Sequence, residues 1–175
     1  MPFLVAILSV MVIGSLVYCA LIVPAASRYL AVKSGPCAAL PPITIMKPLS
    51  GMDEGLAENL RSFFNQDYPE FEVIFAVRNL DDPAALVARK IIEEFPSITA
   101  SVVVAGESPI PNAKVFSLRR MFEMARYEVV VMADSDTRVN PAFLTTIAAE
   151  MSDDEVGLVT CPYRAIPGKS FWSEL

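Results

Sequence analysis

The sequence predicts an α/β domain with a doubly wound, mostly parallel sheet, preceded by one transmembrane helix. From residue 43 onward, short apolar runs alternate with amphipathic stretches, which is the pattern of successive βαβ units. The short runs are continuously apolar, as strands are when helices cover both faces of their sheet. A much longer apolar run occupies the N-terminus. These observations together place a membrane segment before a single α/β domain.

The individual elements follow from local patterns. Strands are predicted at apolar runs bounded by Gly, Pro, Asn or Asp, and helices at stretches with apolar residues on one side. Asp82 and Pro83 have the residue types of an N-cap and a first helical position. The expected strands are Ile43–Met46, Phe71–Val77, Ser101–Ala105, Glu128–Ala133 and a fifth at Val156–Thr160, and the expected helices are Glu54–Asn65, Pro83–Phe95, Ala113–Ala125 and a short one opened by Asn140-Pro141.

The N-terminal run, residues 3–23, contains no charged residue and ends at Pro24. About 20 residues, at about 1.5 Å each, span a bilayer core. A cleaved signal peptide is the competing interpretation, with Pro24–Ser27 as a conceivable cleavage site. However, the run exceeds the usual length of about 7–15 residues, and no Lys or Arg precedes it. An anchor is therefore favoured.

The sequence thus divides into an anchor at 1–26, a juxtamembrane linker at 27–42 and a globular domain at 43–175. Arg28 and Lys33 follow the apolar run. Positive charges flank the cytoplasmic side of membrane helices. We therefore expect a single-pass membrane protein whose domain is cytoplasmic.

Composition excludes several classes of function. The net charge is −6, which argues against a nucleic-acid surface. The chain contains no histidine, so it cannot itself provide a Ser-His-Asp triad or a His-ligated zinc. Its three cysteines form no CxxC pair, which argues against a disulfide framework and fits a reducing compartment.

Two carboxylates directly follow the strand expected at Glu128–Ala133. Asp134 and Asp136 are separated by one residue, at the end of a strand where open parallel sheets bind ligands. Hard oxygen donors at this spacing can share a divalent cation, which can hold a diphosphate. The pattern suggests a nucleotide-sugar site, although Asp residues that merely form a turn are the simpler alternative.

Other strand-end loops also carry polar residues. Lys47–Gly51 follows the first expected strand, Arg78–Pro83 the second, and Pro111–Lys114 opens the helix after the third. In a parallel sheet these loops share one edge. Lys114 at a helix N-terminus is disfavoured by the helix dipole unless an anion lies nearby. Asp82 has a simpler role as an N-cap. For Lys47 and Arg78, the sequence does not decide between a role in the site and an ordinary surface position.

Several segments between residues 43 and 165 stand in a characteristic order. They are Lys47-Pro48-Leu49 with Gly51 and Asp53, Phe63-Phe64, Asp67-Tyr68-Pro69, Phe71-Glu72-Val73, Asp81-Asp82-Pro83-Ala84, Pro111-Asn112-Ala113-Lys114, Asp134-Ser135, and Val156-Gly157-Leu158-Val159 with Pro162-Tyr163. In this order the chain resembles family 2 glycosyltransferases of the GT-A fold. It is most similar to their ceramide glucosyltransferase-like branch, which includes bacterial hopanoid-associated relatives.

The resemblance implies a role at each matching position. Asp82 is expected beside the nucleotide, and Asp134 beside the diphosphate of a UDP-sugar. Asp136 takes the last position of the family's Asp-x-Asp motif, where many members hold Mn²⁺ or Mg²⁺, with Asp134 as a second ligand. Lys114 and Pro48 are expected at the donor. A metal and a lysine would both stabilise the charge that develops on a leaving diphosphate.

The resemblance also implies features that the sequence does not show. The family has a third aspartate as general base, a (Q/R)xxRW motif and further membrane helices downstream. The chain is therefore expected to be the donor-binding portion of an enzyme, truncated at its C-terminus and separated from a C-terminal half. No residue of this chain is assigned as the catalytic base.

The implied activity is hexose transfer from a UDP-sugar to a hydroxyl group of a membrane lipid such as ceramide or a hopanoid. Two alternatives are left open. One is a catalytically silent fragment or a binding module of a split system. The other is a polyprenyl-phosphate sugar transferase.

Overall fold

The computed structural model describes residues 2–31, 35 and 39–166 of the chain. The chain divides into two compact units, Met1–Gly35 and Pro36–Leu175. The first unit contains α1 (Pro2–Ala31), which continues past Pro24, so residues 27–31 of the predicted linker are helical. Lys33, on which the predicted orientation partly rests, lies outside the described residues.

Helix α1 has the properties of a membrane span. None of its residues is buried, and its mean hydropathy reaches 2.6 over an 18-residue window. Within the part of the chain that the structure describes, it is the one helix long and apolar enough to cross a bilayer. The hydroxyls of Ser15 and Ser27 donate to Met11 O and Val23 O, each at 2.9 Å, which satisfies these polar groups within the helix as a lipid environment requires.

The second unit is built on a four-stranded sheet in the order β3-β2-β1-β4. All strand pairs are parallel, as predicted for an α/β fold with βαβ connections. The elements of the unit are β1 (Ile43–Pro48), α2 (Leu56–Phe64), β2 (Phe71–Val77), α3 (Pro83–Glu94), β3 (Thr99–Val104), α4 (Ala113–Phe122), β4 (Val129–Met132) and α5 (Phe143–Glu150).

Helices cover both faces of this sheet, which confirms the doubly wound prediction. On one face, alternate strand residues such as Ile45 and Phe75 pack in one core cluster with residues of α2, α3 and α5. On the other face, Met46 and Ile74 pack against Met121 of α4. The alternation follows from the strand geometry, since successive side chains point to opposite faces.

The strand order reverses beside β1. The chain builds β2 and β3 on one side of β1, crosses the opposite face of the sheet through α4, and places β4 on the other side. In open α/β sheets, ligands bind outside the carboxyl ends of the strands at such a reversal. The carboxyl ends of β1 and β4 therefore flank the place where this fold class binds ligands.

A buried polar network holds the segment before β4 at the amino edge of the sheet, opposite the carboxyl ends of the strands. Thr44 Oγ1 donates to the Glu72 carboxylate at 2.7 Å, and the backbone N–H of Arg126 donates to the same oxygen at 2.7 Å. The Arg126 guanidinium lies 3.6 Å from the second carboxylate oxygen. The network satisfies a carboxylate that is only 4% exposed and holds the segment before β4 against β1 and β2.

Two expectations about the elements need correction. The fifth strand at Val156–Thr160 is wrong: these residues form no strand. The segment has strand composition, but a strand also needs a partner's backbone hydrogen bonds; Val159 packs on the core, whereas Leu158 is 80% exposed. Helix α2 begins at Leu56 rather than Glu54, because Gly55 at its N-cap has a φ of 69°, a left-handed conformation that cannot be helical.

The aromatic packing around Phe64 gives a stability prediction. Phe64 is 3% exposed and stacks on Phe75 and Phe95 at centroid distances of 6.1 and 5.1 Å. Phe64→Ala should lower the free energy of unfolding by about 3–5 kcal/mol. The matched control Phe122→Ala, at a side chain 62% exposed, should change it by less than about 0.5 kcal/mol. Urea denaturation followed by circular dichroism measures both, and equal losses would contradict this packing.

Candidate functional site

A cavity of about 350 Å³ opens at the carboxyl edge of the sheet. It lies where the strand order reverses, between the loops after β1 and β4 and the start of α4. Among the residues predicted for the site, Pro48, Lys114, Asp134 and Asp136 line it, and Asp82 does not. The full lining is Pro48, Leu49, Ser50, Asp53, Arg78, Ala113, Lys114, Ser117, Asp134, Ser135 and Asp136.

Asp134 and Lys114 form an ion pair across the cavity. Asp134 lies two residues after β4, and Lys114 lies in the first turn of α4, whose N-cap Asn112 accepts a hydrogen bond from Val115 N at 3.1 Å. Both side chains are 48% exposed, so a ligand in the cavity can reach them. The anion expected beside Lys114 is thus, in this structure, the Asp134 carboxylate.

Asp136 lines the cavity beside Asp134 and is exposed. Its side chain comes from the same tight turn, which is closed by a hydrogen bond from Thr137 N to Asp134 O at 3.2 Å. The turn expected as the simpler alternative is therefore present. It also places the two carboxylates at one cavity, so the turn and a ligand-binding role are compatible.

Asp53 is a site residue to which the sequence assigned no role, although it belongs to the segments that carry the resemblance. It lines the cavity, and its carboxylate accepts a hydrogen bond from the Ser135 hydroxyl. This contact joins the loop after β1 to the loop after β4. The local pattern alone, an acidic residue two positions beyond Gly51 in a strand-end loop, does not distinguish a site residue from one on a solvated surface.

Asp82 supports the site from outside the cavity. Its carboxylate accepts hydrogen bonds from Gly51 N at 3.0 and 3.2 Å and from Ala84 N at 2.9 Å. The hydrogen bond from Ala84 N caps the N-terminus of α3, as the sequence predicts. The hydrogen bonds from Gly51 N hold the loop after β1 in place. Gly51 has a φ of 69°, a left-handed conformation that favours glycine. By binding Gly51 N, Asp82 holds the backbone that follows the cavity-lining residues Leu49 and Ser50.

Lys47 and Arg78, left open by the sequence, have different positions. Arg78 lines the cavity and adds a cation to it. Lys47 is 0% exposed, with its ammonium 3.8 Å from the centroid of the Phe63 ring and 2.5 Å from the Asp134 carbonyl oxygen, to which it donates. Burial lowers the pKa of Lys47 to about 7, against the opposing charges of Asp134 and Asp136.

The donor set fits a divalent cation only in part. Among residues 2–31, 35 and 39–166, no group of three or more His, Cys, Asp or Glu side chains could hold a metal. Asp134 and Asp136 are hard oxygen donors, which Mg²⁺ and Mn²⁺ prefer. Mg²⁺ commonly binds through one or two carboxylates, with substrate phosphates and water completing its coordination. The residues therefore fit a metal that arrives with a diphosphate.

Comparison with solved structures identifies the fold as that of GT-A glycosyltransferases. The chain is similar to the mannosyltransferase PcManGT from Pyrobaculum calidifontis, solved in complex with GDP-Man and Mn²⁺. The two share 25% sequence identity with a TM-score of 0.66, over 82% of this chain and 43% of that one. The fold predicted from the sequence is confirmed.

Residues 6–175 match the family described as Glycosyl transferase family 21, and the chain belongs to this family. It is similar to ceramide glucosyltransferase 1 of Caenorhabditis elegans, with 33% identity over 70% of this chain and 26% of the relative. A ceramide glucosyltransferase of Komagataella phaffii is 33% identical over 55% of this chain and 20% of the relative. The resemblance to the ceramide glucosyltransferase-like branch is confirmed, and the match spans about a quarter or less of these relatives.

The buried ammonium of Lys47 gives a pH prediction. The folded pKa of about 7 lies below the ordinary value of 10.5, so between these pH values the unfolded chain binds more protons than the folded one. The contribution of Lys47 to the free energy of unfolding should therefore increase with pH between about 7 and 10.5, by at most about 1.4 kcal/mol per pH unit. The difference in unfolding free energy between the wild type and Lys47→Met, measured in urea at pH 7, 8 and 9, isolates this effect. Parallel pH curves for the two proteins would contradict it.

Proposed function

We propose that this chain is the donor-binding portion of a membrane-anchored glycosyltransferase. The enzyme transfers a hexose from a UDP-sugar to the hydroxyl of a lipid acceptor such as ceramide or a hopanoid. The observation that carries the proposal is the convergence of Asp134, Asp136, Lys114 and Arg78 at the strand-order reversal of a family 21 domain. The cavity volume of about 350 Å³ falls within the range of about 300–1,000 Å³ typical of ligand pockets.

The cations and carboxylates have distinct tasks in this proposal. Lys114 and Arg78 attract the diphosphate of the donor and stabilise the charge that develops as it leaves. Asp134 and Asp136 hold Mn²⁺ or Mg²⁺, which would neutralise further charge on the diphosphate when bound. The Mn²⁺ in the mannosyltransferase complex supports this choice of metal. Pro48 forms part of the wall at the donor, and Asp82 holds the loop that follows it.

The lipid acceptor is supported by two independent features. Relatives that match the chain are named ceramide glucosyltransferases, and α1 is long and apolar enough to anchor the domain at a bilayer. Ceramide carries a primary hydroxyl and remains in the membrane, so an anchored enzyme meets its acceptor there. We further propose that the domain faces the cytoplasm, where nucleotide sugars are made; Arg28 beside the helix end favours this orientation.

The donor site is tested by calorimetry of the chain in detergent with Mn²⁺. UDP-glucose should bind, and Asp134→Ala and Asp136→Ala should each weaken its affinity by about tenfold or more, because each removes a charged ligand group. Asp81→Ala, at an exposed carboxylate outside the cavity, is the matched control and should bind like the wild type.

Binding of UDP-glucose that disappears with EDTA would support the metal. Absence of binding to UDP-glucose and UDP alike, or an Asp134→Ala variant with wild-type affinity, would contradict the proposal. A preference for GDP-mannose would support the proposed donor site but show that its donor is GDP-mannose and not a UDP-sugar.

The acceptor is tested with the full-length gene product in mixed micelles. Radiolabelled glucose should pass from UDP-glucose to ceramide, and the product should be retained in the lipid phase. A hopanoid or a polyprenyl phosphate as the preferred acceptor would replace ceramide, and transfer to none of the three would favour a silent binding module.

A further inference from the structure

Lys47 is a buried cation that the donor site does not use directly. It is 0% exposed, it does not line the cavity, and it faces the apolar side of the sheet next to Phe63. Desolvating an ammonium group is costly, and an apolar residue of similar volume is often equally or more stable at such a position. A contribution other than stability is therefore needed to explain its presence.

The ammonium donates to a single backbone atom, the carbonyl oxygen of Asp134, at 2.5 Å. Two further donors reach the same oxygen: the Thr137 hydroxyl and the Thr137 backbone N–H. Three donors from two directions fix the orientation of the peptide between Asp134 and Ser135. Because that peptide lies between the Cα atoms of Asp134 and Asp136, its orientation constrains the directions in which both side chains leave the backbone.

The contact between Lys47 and Asp134 begins where the pairing of β1 with β4 ends. The register of β1 and β4 pairs Met46 with Met132, and Ala133 N still donates to Met46 O at 3.1 Å. Strand β4 ends at Met132, whereas β1 continues to Pro48 along β2, so the β1–β4 register does not extend to Asp134. Lys47, one residue beyond Met46, supplies the next connection between the two chain segments through its side chain.

We propose that Lys47 is a positioning residue that holds the Asp134–Thr137 turn and so aims the carboxylates of Asp134 and Asp136 into the donor cavity. Its partner in this task is the Thr137 hydroxyl. The binding part of this inference rests on the proposed function, while the positioning part concerns the turn alone. The two parts are measured separately.

The turn is tested by hydrogen–deuterium exchange of the full chain in detergent. Lys47→Met keeps an unbranched side chain that is one atom shorter, and removes the donor. The amides of residues 134–138 should exchange about tenfold faster, because the Asp134 carbonyl loses the hydrogen bond from Lys47 Nζ. The melting temperature should be equal or higher, because a buried charge is removed. Met46→Leu, next along β1 and facing the other core cluster, is the matched control and should exchange like the wild type.

Donor binding is tested in parallel by calorimetry. Lys47→Met should weaken UDP-glucose affinity by about tenfold, and Thr137→Val, which keeps the ammonium, by about threefold. A loss of affinity without a loss of melting temperature separates positioning from packing. Thr137→Val alone carries the test if Lys47→Met does not fold.

Each result decides the inference. Unchanged exchange in the turn of Lys47→Met, or of Thr137→Val in its place, overturns it. Faster exchange across the whole sheet with a lower melting temperature also overturns it, in favour of a packing role. If the wild type binds no nucleotide, the proposed function fails, and the exchange data still decide whether Lys47 holds the turn.

Discussion

The parallel pairing of β1 with β4 is the constraint on which the site depends. These strands are separated by two complete βα units in the chain, yet they are neighbours in the sheet. Their pairing brings the loop at Pro48 and the turn at Asp134 to opposite sides of one cavity. The remaining contacts are consequences: Ser135 reaches Asp53, Lys47 reaches the Asp134 carbonyl, and Lys114 reaches the Asp134 carboxylate.

The charges of the site are balanced locally in a chain whose net charge is −6. Three basic residues, Lys47, Arg78 and Lys114, lie in or beneath a cavity that is also lined by three acidic residues, Asp53, Asp134 and Asp136. Lys114 and Asp134 form an ion pair with each other. In the proposed function, the diphosphate binds at Lys114 and its cation binds at Asp134, so that both replace this ion pair. An anionic ligand can therefore bind an acidic protein without a broad basic surface.

Much of the fold could be predicted because it depends on local periodicity. The apolar run at Phe71–Val77 and the N-cap at Asp82 are recognisable within a few residues, and the structure has both at the predicted positions. Val156–Thr160 shows the limit of this reasoning. Its composition matches a strand, but pairing depends on whether another strand lies alongside, and no local pattern records that.

The sequence by itself determined the long apolar N-terminal helix, the α/β class and the set of strand-end residues from which a site could be built, because these depend on composition and on the spacing of neighbouring residues. Tertiary structure decided how those residues are used. Asp82 supports a loop instead of lining the cavity, Asp53 joins the site, and Lys47 is buried beneath it. Each of these outcomes depends on contacts between residues about 30 or more positions apart, and only the assembled sheet brings such residues within hydrogen-bond distance.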